Sequence, residues 1–153
     1  MKDSRRLADD SIYLNEDRFD KPKEMFKFIR SLISPGPLDI ASDLLDVGCA
    51  TGEFIHYMKR HHQNLACTGI DVSAPMIKLA KERQPDQKFI LGDILTKPLK
   101  EASVYDVVVC TGVLQILDDI GQAIANLLSL VRPPGVLVIA GSFNNHDIDV
   151  LMR

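Results

Sequence analysis

"LLDVGCATGEF", residues 44–54, decides how the chain is read. Apolar residues around an aspartate run into a Gly-rich stretch and then into a helix-like pattern. That order predicts a strand, a tight turn and the start of a helix. Such a turn brings bare backbone up against a ligand.

The rest of the chain repeats the unit. "KPKEMFKFIRSLI" sets Met25, Ile29, Leu32 and Ile33 at helical spacing, which predicts an amphipathic helix over 22–34, stopped by "SPGP". "EFIHYMKRHH" reads as a helix, "LACTGID" as a second strand, and "APMIKLAKERQ" as a helix with Ser73 as its N-cap. "KFILGD" and "YDVVVCTG" read as the third and fourth strands, the latter apolar through its centre as a strand buried on both faces must be. "DIGQAIANLLSLV" places Ile120, Ile124, Leu127, Leu128 and Val131 on one helical face; "RPPG" breaks it, and "VLVIAG" is the fifth strand. Alternating strands and helices imply parallel pairing and right-handed crossovers. The expected fold is a doubly wound α/β domain with a mostly parallel sheet, whose ligand lies beyond the C-terminal strand ends.

The 153 residues suit one domain, at 46% apolar and 25% charged, with a formal net charge of −3. That charge argues against a general nucleic-acid surface. "KRHH" (59–62), the clearest basic cluster, falls where a helix ends and suits its dipole. The N-terminus carries no apolar signal segment, and no apolar run approaches the ~20 residues of a membrane span. Cys49, Cys67 and Cys110 lack framework or metal spacing, which points to free thiols in a reducing cytoplasm. His56, His61, His62 and His146 also lack ligand spacing, so no metal site is expected.

A dinucleotide loop needs G-x-G-x-x-G and an acid ~20 residues on. Asp71 meets the second requirement. Starting at Gly48, however, Ala50 takes the second glycine's place and Glu53 the third. A carboxylate in the first helical turn competes with a pyrophosphate for the same N–H groups. No Gly-Lys-Ser/Thr follows, which excludes a P-loop. The loop suits a ligand without phosphate that carries positive charge. S-adenosylmethionine, with its sulfonium and ammonium, is such a ligand.

"LLDVGCATGEF", "GIDVS", "GDI", "YDVVVCTGVLQIL" and "LLSLVRPPGVLVIA", in this order, resemble the class I S-adenosylmethionine-dependent methyltransferases of the small-molecule type over residues 40–142. The resemblance implies a Rossmann-like methyltransferase fold and a cofactor site built residue by residue. Asp46, Gly48, Cys49, Ala50 and Gly52 belong to the loop that wraps the methionine part. Asp71 matches the acid that accepts the ribose hydroxyls, and Val72 an apolar residue beside the adenine. Asp93 matches the acceptor for the adenine amino group, with Ile94 against the ring. Thr111, Gly112 and the residues to Leu114 match the segment that runs past the sulfonium. Asp46 as a loop cap, Asp71 as a helix-entry residue and Asp93 as the start of an Asx-turn are the purely structural alternatives.

The resemblance implies methyl transfer by in-line displacement to a small-molecule acceptor. A non-catalytic S-adenosylmethionine-binding module is the alternative, with a nucleotide-dependent oxidoreductase a distant third. No catalytic base is legible: Gln115 stands where the family often has a histidine, and the Asn/Asp-Pro-Pro-aromatic signature is absent. Cys110 lacks the Pro-Cys setting of cytosine C5 enzymes and reads as a packed thiol. Asn144, Asn145, His146 and Asp147 follow the fifth strand, where a substrate edge is expected. Residues 1–21 are expected to form an N-terminal segment that acts as a cofactor lid, with Tyr13 either covering the ligand or serving as a simple surface staple. Residues 22–153 are expected to form the methyltransferase domain, incomplete at the C-terminus without the family's last two antiparallel strands: a fragment of a longer chain, a domain whose edge a partner covers, or a reduced member. The expected cover for the strand-five edge, about 135–141, is a second copy or further C-terminal residues.

Overall fold

The computed structural model describes residues 14, 18–34, 36–40, 43–96, 105–117 and 120–141. Tyr13 and the 144–147 polar stretch lie outside them. The helices are α1 (Glu24–Ile33), α2 (Pro37–Ile40), α3 (Glu53–His61), α4 (Ala74–Arg83) and α5 (Ile120–Leu130). The strands are β1 (Asp43–Val47), β2 (Ala66–Asp71), β3 (Lys88–Leu91), β4 (Tyr105–Thr111) and β5 (Val131–Ala140). All pairings are parallel and the order is β3-β2-β1-β4-β5. The chain winds outward from β1 in one direction and from β4 in the other, which opens a crevice between their C-terminal ends.

Two apolar layers hold the sheet. On one face Leu44, Val107 and Val109 pack against Ile29 of α1, Ile55 and Met58 of α3, and Ile77 of α4. On the other, Leu45, Val47, Val108 and Cys110 pack against Ala123, Leu127 and Leu130 of α5. Fully burying one such leucine or isoleucine is worth about 1.5–3 kcal/mol. The alternation of Leu44 with Leu45 and Val47 is the strand period of two.

Three local readings are corrected. On α1 the buried stripe is Phe26, Ile29 and Ile33, while Met25 and Leu32 are exposed. Phe26 wins its place by packing edge-on against Phe54 of α3. On α5 the buried residues are Ala123, Asn126, Leu127 and Leu130, and Ile120 and Leu128 face outward. Asn126 is buried because its amide donates to the Ile94 carbonyl at 2.6 Å. Finally, Val131 ends no helix; it opens β5 by pairing with Tyr105, and a register shift follows before Val136 pairs with Val107. The two prolines of "RPPG" are tolerated because β5 is an edge strand with one neighbour in the sheet.

Arg132, in that irregular stretch, ties three strands together. Its guanidinium donates to Asp106 Oδ1 at 2.8 Å and to Asp43 Oδ2 at 3.3 Å, while Asp106 Oδ2 accepts the Asp43 N–H. At the end of α3, Lys59 reaches past its helix and donates to the Leu65 carbonyl at 2.8 Å, as a cation at a helix C-terminus should.

Candidate functional site

The Gly-rich loop is wound by left-handed residues. Gly48 (φ +78°), Ala50 (φ +47°) and Gly52 (φ +87°) alternate with ordinary ones between β1 and α3. The Gly48 and Cys49 N–H groups both donate to the Ile70 carbonyl, at 2.8 and 3.1 Å, which rolls the loop over the end of β2. A Cβ on Gly48 would lie 2.2 Å from Val113 Cγ2, so a bare backbone is required there. Alanine in the left-handed region is strained, of order 1–2 kcal/mol. Ala50 is held in it because its N–H donates to Asp71 Oδ2 at 2.9 Å.

Asp71 therefore has structural work in the free protein. Its Oδ1 accepts the Ser73 N–H at 2.9 Å, and Ser73 in turn caps α4 by accepting the Met76 N–H. The helix-entry reading of Asp71 is correct as far as it goes. The same carboxylate is also the clamp of the loop. Val72, beside it, is 48% exposed, an apolar side chain open at the end of β2.

Asp93 follows β3 and begins an Asx-type turn, its Oδ1 accepting the Leu95 N–H at 2.9 Å. Ile94 is 4% exposed and packs in the α5-side core, so its side chain forms floor rather than open surface. Thr111, the last residue of β4, is half-buried, and Gly112 after it takes φ +70° while its N–H donates to the Ala140 carbonyl at 2.8 Å. A Cβ on Gly112 would meet nothing within 4 Å; this turn borders open space. The loop, Asp71, Asp93 and Gly112 thus stand at the C-terminal ends of β1, β2, β3 and β4 in order.

Electrostatically the crevice is acidic at its root. Asp46, next to last in β1, is 2% exposed, and Glu53, the first residue of α3, is 6% exposed. Burial, then the charges of Asp71 and Glu53, push the Asp46 carboxyl up to about 8. The buried thiols are protonated as well: burial raises Cys49, and it pushes Cys67 and Cys110 up to about 12. That suits the packed-thiol reading of Cys110. Among the described residues, no three His, Cys, Asp or Glu side chains are grouped to hold a metal ion.

Two residues that sequence reasoning missed hold the loop from behind. Gln84, at the end of α4, donates its amide to the Gly52 carbonyl at 2.9 Å, and Arg83 reaches Thr51 Oγ1 at 3.5 Å. The partners are 32 residues apart, and only the packing of α4 against the loop brings them together. Arg83 also stacks on the Phe19 ring, 4.9 Å from its centroid, and Phe19 lies against His56. The segment before α1 is thereby pinned beside the loop.

Comparison with known proteins follows this geometry. A family model described as "Methyltransferase domain" matches residues 45–139. A malonyl-(acyl-carrier protein) O-methyltransferase of Pectobacterium atrosepticum is 31% identical over 109 residues, 71% of this chain and 42% of that protein. A trans-aconitate 2-methyltransferase of Variovorax paradoxus is 32% identical over 119 residues, 77% of this chain and 45% of its own length. The chain spans less than half the length of these curated relatives. Among solved structures, the sugar N-methyltransferase KedS8 from Streptoalloteichus superposes with a TM-score of 0.68 at 24% identity, covering 80% of this chain and 49% of that one. The plantazolicin methyltransferase BpumL, solved in complex with SAH, gives a TM-score of 0.67 at 21% identity over 90% of this chain and 53% of that one. At these identities the structural likenesses bear on the fold.

Proposed function

The chain belongs to the methyltransferase-domain family, and from that premise we propose that it binds S-adenosylmethionine at the C-terminal ends of β1–β4 and directs methyl transfer to a small-molecule acceptor. One observation carries the reading. A glycine loop with Glu53 in place of a pyrophosphate loop's third glycine, two strand-end acids and an open glycine turn come together at one acidic crevice. The residue set is Asp46, Gly48, Cys49, Ala50, Gly52, Asp71, Val72, Asp93, Ile94, Thr111 and Gly112.

The residues fit the group. Asp46 is a buried carboxyl near the C-terminal end of β1, and a Cβ on Gly112, after β4, would meet nothing within 4 Å. The cofactor supplies an activated methyl group on a sulfonium. The protein's part is to orient and to exclude water, effects worth as much as ~7–11 kcal/mol in favourable cases. Asp71 and Asp93 serve as hydrogen-bond acceptors for ribose and adenine, and Val72 as an apolar wall. The acidic root of the crevice, Asp46 with Glu53, favours the positively charged end of the ligand. S-adenosylhomocysteine is the product.

Residues 1–21 act in this reading as a lid on a 22–153 domain, and the pinned Phe19 supports that placement. A second copy pairs along the β5 edge. No helix among the described residues is long and apolar enough to cross a membrane; we place the protein in the cytoplasm, with three unpaired thiols as support. A non-catalytic cofactor-binding module is the second reading, favoured by "VLQIL" (113–117), which carries no titratable side chain after β4.

The test is calorimetric titration with S-adenosylmethionine, S-adenosylhomocysteine and NAD, followed by assay of S-adenosylhomocysteine release across a panel of small acids, amines and thioesters. Binding of the first two without NAD, and release with at least one acceptor, are expected. Binding without release across the panel favours the second reading. Preference for NAD overturns both.

A further inference from the structure

The glycine loop is braced from behind by the end of α4. Thr51 is fully buried and lies between two left-handed residues, Ala50 at φ +47° and Gly52 at φ +87°. A loop so wound leaves the regular ladder of β1, and its polar groups depend on individual partners. The Gly52 carbonyl accepts the His56 N–H of α3 and the Gln84 amide at the end of α4, both at 2.9 Å. A Cβ on Gly52 would lie 2.5 Å from Gln84 Nε2, so α4 ends directly against the bare turn. Beside it, Arg83 Nη1 donates to Thr51 Oγ1 at 3.5 Å.

The two supports differ. Gln84 is half-buried and reaches backbone, whereas Arg83 is exposed and meets the loop at the long end of hydrogen-bond distance. Holding an exposed arginine in one geometry costs much of its rotamer freedom. Phe19 supplies a restraint. Its ring centroid lies 4.9 Å from the Arg83 guanidinium carbon and 4.8 Å from the centroid of the His56 ring. Phe19 thus touches the helix that begins at the loop and the helix that braces it. Phe19, Arg83, Thr51, Gly52 and His56 form a closed ring of contacts, and Phe19 is the member that comes from the segment before α1.

Resting on the cofactor reading above, we propose that Arg83 is a positioning residue through which the seating of Phe19 and the shape of the cofactor loop support each other. With Phe19 seated, the guanidinium is held against Thr51 and the loop is presented in its binding shape. With the cofactor bound, Thr51 is fixed and Arg83 offers Phe19 a ready platform. Such a coupling is reciprocal: whatever factor the seating of Phe19 adds to cofactor affinity, the cofactor adds to the seating of Phe19.

The experiment uses the full chain and its variants Phe19→Ala, Arg83→Met, Arg83→Lys and the double variant Phe19→Ala with Arg83→Met. Calorimetry with S-adenosylmethionine gives the affinities, and hydrogen exchange at the amides of residues 18–21 reads the seating of the segment. An exposed contact between a cation and a ring corresponds to about two- to fivefold in affinity, and Phe19→Ala and Arg83→Met are each expected to weaken binding by that factor. The double variant binds no more weakly than either single one, because both act on one linkage. Saturation with S-adenosylmethionine slows exchange at 18–21 in wild type and leaves it unchanged in Arg83→Met. Arg83→Lys, which keeps a cation for the ring, recovers part of that protection. A side chain that only packs on the surface would lower the melting temperature without tying exchange at 18–21 to the ligand. Independent, multiplying losses in the double variant, or ligand protection that persists in Arg83→Met, overturn the proposal and leave the cofactor reading standing. So does exchange at 18–21 in wild type that saturation leaves unchanged, a result that needs no variant to fold. Wild type that binds neither S-adenosylmethionine nor S-adenosylhomocysteine overturns the cofactor reading and the linkage with it.

Discussion

The carboxylate of Asp71 accepts the Ala50 N–H at 2.9 Å, so the acid that ends β2 fixes the loop that follows β1. Its other oxygen accepts the Ser73 N–H and starts α4. One side chain thus ties the turn after β1 to the start of α4.

Asp71→Ala therefore removes two supports at once. The ribose loses a charged acceptor, with bonds to charged groups worth about 1.5–3 kcal/mol each. Ala50 also loses the partner that holds its strained backbone. The expected result is at least a tenfold loss of S-adenosylmethionine affinity by calorimetry, with a lowered melting temperature. Asp71→Asn, which retains one acceptor oxygen, should recover part of each. A variant that binds like wild type would remove Asp71 from the site.

The order of strands was legible because each is a short apolar run closed by a turn residue, and alternation with helices leaves few topologies. The positions of Gly48, Gly52, Asp71 and Asp93 followed from the rule that ligands meet strand C-termini. What stayed hidden depends on partners distant in sequence. Phe26 displaces Met25 from the core because Phe54 lies opposite it, and nothing local to α1 reveals that. Gln84 and Arg83 read as the polar end of a helix, yet they brace Gly52 and Thr51. Glu53 was legible as a first-turn acid, but its burial beside Asp46 was not.

Gly48→Ala probes the turn itself. The new methyl would sit 2.2 Å from Val113 Cγ2, and alanine at φ +78° is strained besides. We expect lower thermal stability and loss of cofactor binding. Gly48→Ala with Val113→Ala relieves the clash but not the backbone strain of order 1–2 kcal/mol, so it should recover stability only in part. Full recovery in the double variant would show that sterics alone fix the residue. No recovery would show that Val113 yields freely.

The β5 edge predicts self-association. Residues Val136–Ala140 pair with β4 on one side, and β5 stands at the end of the sheet order. Pro133 and Pro134 blunt the beginning of the strand, but "VLVIA" carries no charge or proline to guard it. Analytical ultracentrifugation of the 153-residue chain should show a concentration-dependent dimer, pairing isologously along this edge. A monomer that persists at high concentration refutes it.

The buried acid also makes stability depend on pH. Folding raises Asp46 from an ordinary 3.8 to about 8, so the folded chain holds this proton more tightly than the unfolded one. The corresponding contribution to stability is full below about pH 4 and is lost as the pH rises through about 8. Within that window the slope from this one group approaches about 1.4 kcal/mol per pH unit. Other ionisable groups add slopes of their own in the wild type, so the informative quantity is a difference between proteins. Asp46→Asn cannot ionise, and its own burial cost does not change with pH. Urea unfolding of both proteins from pH 5 to 9 should therefore show the asparagine variant gaining on wild type as the pH rises, by a few kcal/mol across the range. Parallel pH profiles would mean that Asp46 is as easily ionised folded as unfolded, and that its environment is more polar than its 2% exposure implies.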